Sequence, residues 1–249
     1  MIKGFSTGAI AKGDFRTALE ILRGTDTNAV ELSALRESEI VELIANLDAL
    51  DLRQFEYVSV HAPSKLTVMT ERQLIAILLS VAKRGLPVIV HPDIIQEIPL
   101  WASLGKFLCI ENMDKRKKSG RSMFDLSQLF NKLPEASFCF DIAHAAQVDP
   151  SMTEAYLMLT RLSGRLKEIH ISSVNSQSIH ESITRDSLTA FSEVARLIPR
   201  NIPIIFESPV QFNHITSELH KLSYLFGEDI PDKINPLYIR RHNNGDFKR

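Results

Sequence analysis

Eight short runs rich in β-branched and apolar residues recur along this chain, separated by longer segments with the 3.6-residue apolar period of a one-sided helix. The runs cover roughly 2–7, 29–34, 57–62, 87–92, 107–112, 137–142, 166–172 and 202–208. Strand followed by helix, repeated, is the pattern of βαβ units and of a parallel sheet. Eight such units, in a chain of 249 residues, predict an α/β fold with one closed (β/α)8 TIM barrel rather than an open doubly wound sheet. No G-x-G-x-x-G or P-loop glycine pattern follows any of the runs, which argues against a nucleotide-binding open sheet. The chain reads as a single barrel domain over 1–249, with about 236–249, ending IRRHNNGDFKR, as a polar, basic tail.

Local signals agree with that frame. In EIVELIANLDALDL, apolar residues at 40, 43, 44, 47 and 50 line one side of a helix. Thr70 followed by Gln73 reads as a capping box, and Asp149 followed by Pro150 reads as a cap before a proline in the first turn.

Six of the eight runs end in a group that binds divalent cations. They are VSVHAP at His61, VIVHP at His91, FLCIEN at Glu111, SFCFDIAH at Asp141 and His144, LKEIHIS at His170, and PIIFES at Glu207. Imidazole and carboxylate are the usual ligands for zinc, manganese and cobalt, and they form a site only when several converge on one point. In a parallel barrel the strand ends share one face, where catalytic groups gather. Structural histidines and carboxylates would instead be scattered over helix faces and strand starts.

The remaining composition excludes more than it assigns. A formal net charge of −1 gives no general attraction to nucleic acid or to a membrane surface. No apolar run is long enough to span a bilayer, and MIKGFSTGAIAKGDF lacks the uninterrupted apolar stretch of a signal peptide. The two cysteines, Cys109 and Cys139, form neither a disulfide framework nor a zinc-finger pattern, so a reducing cytoplasm is the expected location.

The motifs VELSALR, VSVHAP, VIVHP, IENMD, FDIAHA, EIHIS and FESP resemble those of the xylose-isomerase-like barrels over essentially the whole chain. That superfamily includes sugar and sugar-phosphate isomerases and epimerases together with endonuclease IV, the AP endonuclease family 2. In the isomerase branch, the resemblance implies one cation held by Glu111, Asp141, His170 and Glu207, with Glu111 and Glu207 as the catalytic acid–base pair. In the endonuclease branch it implies two or three zinc ions at the same positions, with His61 and His91 joining Glu111 around one ion. His144 and His180 would then serve another. That branch carries an aspartate two residues before the histidine matched by His180, and here the position is Ser178, a poor zinc ligand. The resemblance also admits a homodimer.

Substrate-binding candidates lie nearby. DKRKKSGR places Lys115, Arg116, Lys117, Lys118 and Arg121 beside Glu111, either as a solvated surface run or as an anion site over the metal face. Glu31 and Arg36 either touch substrate or form an ordinary ion pair. Alternation along strands turns Cys109, Cys139 and Glu168 toward the barrel axis, and Glu168 then needs a partner beneath His170. His214, His220 and His242 read as structural or solvent-exposed.

These features rank three readings. The first is a metal-dependent isomerase or epimerase acting on a small sugar or sugar phosphate. The second is an endonuclease-IV-like zinc phosphodiesterase acting on apurinic or apyrimidinic DNA, and the third is a non-catalytic sugar- or metal-binding barrel.

Overall fold

The computed structural model describes residues 1–227. Eight parallel strands close into a barrel: β1 (Lys3–Ser6), β2 (Ala29–Ser33), β3 (Tyr57–His61), β4 (Val88–Val90), β5 (Leu108–Glu111), β6 (Ser137–Asp141), β7 (Leu166–Ile171) and β8 (Ile204–Phe206). Each pairs with the next in sequence, and β8 returns to β1 through the pairs Lys3–Ile204 and Phe5–Phe206. Closure leaves this sheet with no open edge. The proposed tail and His242 lie outside the described residues.

Alternation decides what fills each layer. Residues such as Phe5, Val30, Leu32, Val60, Val90, Ile110, Phe140 and Phe206 pack outward in the main core with the surrounding helices. The inward parity is different: Ile89, Cys109 and Cys139 form a small apolar group of their own. On the same parity stand the buried Glu31, Ser33, Ser59, His61, Glu111, Asp141, Glu168 and His170. A barrel interior is ordinarily filled by bulky branched side chains. This one is filled largely by polar groups, and uncompensated burial of its carboxylates would be costly. Gly4 has a separate role, because a Cβ there would stand 1.7 Å from the Ala29 carbonyl oxygen where β1 crosses β2.

The capping box forms as expected. Thr70 N–H donates to Gln73 Oε1 at 2.9 Å, and Gln73 N–H donates to Thr70 Oγ1 at 3.3 Å. The segment after β2 forms the helix Glu37–Asn46 and then a 3-10 turn, with Ile40, Leu43 and Leu47 buried. Asp149–Pro150 corrects the expected helix start, because the helix begins three residues later, at Thr153. Met152 takes a left-handed conformation before it, and the Asp149 carboxylate reaches forward to accept from Glu154 N–H at 2.9 Å. Proline therefore sits in the turn and not in the helix. Among the described residues no helix is long and apolar enough to cross a membrane.

Candidate metal centre

Every strand-end candidate arrives at one face because the inward parity and the barrel register agree. Ser33 pairs with His61, Glu111 with Cys139, Asp141 with His170, and His170 with Ile205. His91 and Glu207 sit just beyond β4 and β8. His144 stands on the first turn of the helix Ile142–Val148, whose cap is Asp141: its Oδ1 accepts from His144 N–H at 2.7 Å. His180 comes from a two-stranded hairpin pairing Ser173–Val174 with His180–Glu181 in the loop after β7.

These side chains fall into three overlapping groups, in each of which the potential ligand atoms lie within 4.8 Å of one another. One is Glu111, Asp141, His170 and Glu207; a second is His61, His91 and Glu111; a third is Asp141, His144 and His180. Glu111 is the hub. Its Oε2 lies 3.3 Å from Nε2 of both His61 and His91, while its Oε1 lies 3.3 Å from His144 Nδ1 and 3.5 Å from His170 Nδ1. Glu207 approaches His170 Nδ1 at 3.7 Å and His180 Nδ1 at 3.4 Å.

The charges of the metal-free centre are set by this crowding. Burial disfavours protonation of His61, yet the Glu31 and Glu111 carboxylates outweigh it and push His61 up to about 9. Burial is likewise overcome at His144, which Asp141, Glu111 and Glu207 push up to about 10. His180 and His91 go the other way, because burial dominates; His180 falls to about 4. Burial, then the neighbouring Glu111, Asp141 and Glu31 charges, drive Glu207 well above the usual carboxylate range despite the opposing pull of His170. Glu111 is held well below it, since close contact with His144, His170, His61 and His91 favours its charged form and overcomes its burial.

The residues fit a divalent cation. His170 Nδ1, Asp141 Oδ2, Glu207 Oε2 and His91 Nδ1 are buried and have no hydrogen-bond partner among the described residues, although buried polar atoms are ordinarily satisfied. His61 Nδ1 faces the Ala62 carbonyl at 2.8 Å, so its ring donates there and Nε2, 3.3 Å from Glu111 Oε2, is the atom a cation would take in place of its proton. Mixed nitrogen and oxygen donors of this kind suit zinc, manganese and cobalt.

Above the groups opens a cavity of about 350 Å³, lined in part by His61, His91, Glu111, His144, His180 and Glu207. Two members of the basic loop, Arg116 and Lys117, also line it. Both are held by carboxylates: Arg116 by Asp114 through two hydrogen bonds of 2.8 and 3.0 Å, and Lys117 by Asp93 at 2.6 Å. Lys115 and Lys118 are exposed, and neither they nor Arg121 line the cavity. Of the two roles open to Glu31 and Arg36, the contacts among the described residues are ion pairs. Glu31 is fully buried beneath His170, 3.1 Å from its Nε2, and Arg36 points to solvent beside Glu39 at 3.1 Å. A larger groove of about 1090 Å³ lies between the loops after β2 and β3 and shares Leu35 and Ser64 with the cavity, but none of the three donor groups reaches it.

Several contributors were not evident from sequence. Asn112 exchanges two 2.8 Å hydrogen bonds with the Asp141 backbone, and its carbonyl faces His144 Nδ1 at 3.1 Å. Its position directly after Glu111 was the available signal. Asp141 belongs to two of the groups, and no carboxylate stands at position 178. Ser178 instead donates to Gln147 Oε1 at 2.7 Å. His214 and His220 are exposed, as expected.

No family model matches this chain, and no curated protein matches it. Solved structures do. Endonuclease IV from Thermus thermophilus superposes with a TM-score of 0.60 at 19% identity, covering 92% of this chain and 100% of that one. SacUVDE gives 0.56 at 14% identity over 90% and 96%. A protein of Anabaena variabilis, provisionally described as a sugar phosphate isomerase/epimerase, gives 0.54 at 15% identity over 94% and 91%. At these identities the likeness establishes architecture: the chain shares the barrel fold of these three structures.

Proposed function

We propose that this protein is a metal-dependent enzyme that hydrolyses a phosphate ester, using a cluster of divalent cations, with zinc foremost. The observation that carries the reading is the continuity of the three donor groups through Glu111 and Asp141. One cation would be held by Glu111, Asp141, His170 and Glu207, one by His61, His91 and Glu111, and one by Asp141, His144 and His180. Bound there, such cations supply Lewis acidity, neutralising charge on phosphoryl oxygens and acidifying water.

The chain's own groups suit the same task. Arg116 and Lys117 put positive charge on the cavity wall, where an anionic ester would be oriented. Their partners Asp114 and Asp93 fix the side chains, so less freedom is lost on binding. Leu35, Met113, Ile179 and Pro209 make up an apolar part of the cavity wall. Glu207, which lines the cavity with a side chain 15% exposed, would also take a proton from the attacking water. The relatedness in fold to endonuclease IV makes abasic-site DNA the first substrate to test.

A second reading has its own support. Glu111, Asp141, His170 and Glu207 form a complete one-cation set, which is what an isomerase or epimerase of a small sugar or sugar phosphate needs. Elemental mass spectrometry on untagged protein purified without chelator separates the two. Two or three cations per chain with nicking of an abasic duplex support hydrolysis. One cation, no nicking and turnover of a ketose or ketose phosphate would sink it in favour of isomerisation.

A further inference from the structure

Beneath the centre runs a polar column that neither reading requires for binding substrate. His170 is fully buried, and its Nε2 faces two carboxylates at once: Glu168 Oε1 at 3.0 Å and Glu31 Oε2 at 3.1 Å. Both carboxylates are fully buried themselves. Each is anchored from another part of the barrel. Tyr57, at the start of β3, donates its hydroxyl to Glu168 Oε2 at 2.6 Å. Ser33 donates to Glu31 Oε1 at 3.0 Å, and Ser33 Oγ in turn lies 2.5 Å from Ser6 Oγ. The column therefore joins β1, β2, β3 and β7. Two buried carboxylates on one imidazole edge are poor design for stability alone, since apolar side chains of similar size fill such interiors at no desolvation cost. On the opposite edge of the ring, Nδ1 is buried without a partner and faces Glu111 at 3.5 Å and Glu207 at 3.7 Å.

We infer that Glu168 and Glu31 are positioning residues that hold the His170 ring with Nε2–H downward, making Nδ1 the ligand atom, and that Tyr57 is the strut that keeps Glu168 in place. Second-sphere carboxylates of this kind orient a ligating imidazole and raise its basicity. The hydrogen bond goes to Glu168, and Glu31, whose Oε2 is buried without a hydrogen-bond partner of its own, adds a second negative charge at the same edge, so together they disfavour the alternative tautomer. A cation at the four-donor group then meets a ligand set whose hardest member to orient is already placed. The inference rests on a cation binding at that group, as both readings above require.

The test uses the full chain, stripped of metal, titrated with Zn²⁺ by calorimetry, with thermal unfolding of the stripped protein alongside. Glu168→Gln and Glu31→Gln keep the size of each side chain and an acceptor oxygen but remove its charge. Each is expected to weaken the tightest Zn²⁺ by about 10–100-fold, the usual scale for such partners, while the stripped protein unfolds at the same temperature or higher. The double variant should lose more than either, and Tyr57→Phe less. In the zinc-loaded wild type, long-range ¹H–¹⁵N correlation should show His170 protonated at Nε2 and metal-bound at Nδ1. Ligation through Nε2 overturns the inference. So does full Zn²⁺ affinity in the double variant while wild type binds, which leaves the metal centre intact as a proposal. Wild-type protein that binds no Zn²⁺ overturns both.

Discussion

Glu111, Asp141 and His170 stand at or near the ends of barrel strands and are buried to within 1% of full exclusion, whereas His180 stands on a two-residue strand of a loop hairpin with 28% of its side chain exposed. The strand-end groups are fixed by register, by each other, and by partners such as Asn112 and Glu168. His180 is fixed by local chemistry. Ser172 Oγ lies 2.8 Å from its Nδ1, and the Asn175 side chain shapes the turn before it by accepting from Ile179 N–H at 3.1 Å. Glu218 steadies the far side of that loop by accepting from Ile183 N–H at 2.7 Å and Ser182 Oγ at 2.6 Å. Sites built on strands hold ligand atoms more closely than sites built on loops. One end of the centre is thus set by the fold, and the other is an attachment that can vary without disturbing the barrel.

The largest effect should come from the strand-end hub. Glu111 touches His61, His91, His144 and His170, so Glu111→Gln is expected to remove cations from two groups together and lower turnover by at least about 10²–10³-fold, the scale of losing one charge-stabilising group. Elemental analysis should show at least one cation fewer per chain. Unchanged stoichiometry would mean that Glu111 is not shared. At the loop end, His180→Ala should cost less, with the Asp141, His144 and His180 cation lost and the other groups still filled. A fall in turnover of about 10–100-fold is expected, as for loss of a supporting contact and not of the hub. Complete loss of metal in that variant would erase the distinction between the two ends.

The same contrast explains what could be read from the sequence. The barrel and the strand-end donors were legible because strand alternation and strand termination carry both: His61, Glu111, Asp141 and His170 each close an apolar run. Glu31 was legible as a strand carboxylate but not as a buried one, since its role depends on which side chain stands across the barrel, and that is His170. For Arg36 the sequence left substrate contact and an ion pair open, and Glu39 one helical turn away pairs with it. In the basic loop, charge was visible but pairing was not: Asp93, 24 residues from Lys117, decides where that lysine points. Asp149–Pro150 misled because a proline after a cap-like aspartate also fits a turn, and Met152 makes that turn.

Protonation sharpens the comparison further. His61 and His144, pushed up to about 9 and about 10, carry protons at neutral pH in the metal-free protein. A cation must displace them, so apparent affinity should rise with pH from about 7 to about 9, by about tenfold per unit for each proton released. The sign for stability is opposite. Both folded values exceed the ordinary 6.5, so the stabilisation is fully present below about 6.5 and is lost as pH rises through about 9–10. His180 lies at about 4 and adds no such proton. Calorimetry in buffers of differing ionisation enthalpy should therefore find proton release from His61, His144 and His170, whose ring, against burial, is also pushed well above its ordinary value by Cys139, Glu207 and Glu31. His180→Ala, which loses the cation held with Asp141 and His144, should remove the His144 share and leave the rest, and unchanged release in that variant would overturn the assignment.

The smallest effect tests whether the loop end is adjustable. Ser178 has φ of 57°, a left-handed conformation that aspartate tolerates better than most side chains, and it lies two residues before His180. Its hydroxyl now donates to Gln147 Oε1, a contact that a carboxylate would repel. Ser178→Asp should therefore lose that hydrogen bond, at about 1 kcal/mol of stability in the metal-free protein. Turned away from Gln147, the carboxylate would add charge beside the Asp141, His144 and His180 group, and its cation should bind more tightly while the four-donor cation is unaffected. Zinc titrations that show the weakest site strengthened, with the tightest unchanged, would mark the loop as the variable part of the centre. If the tightest site shifts instead, the two ends are coupled through Asp141, and the division between a set floor and an adjustable corner fails.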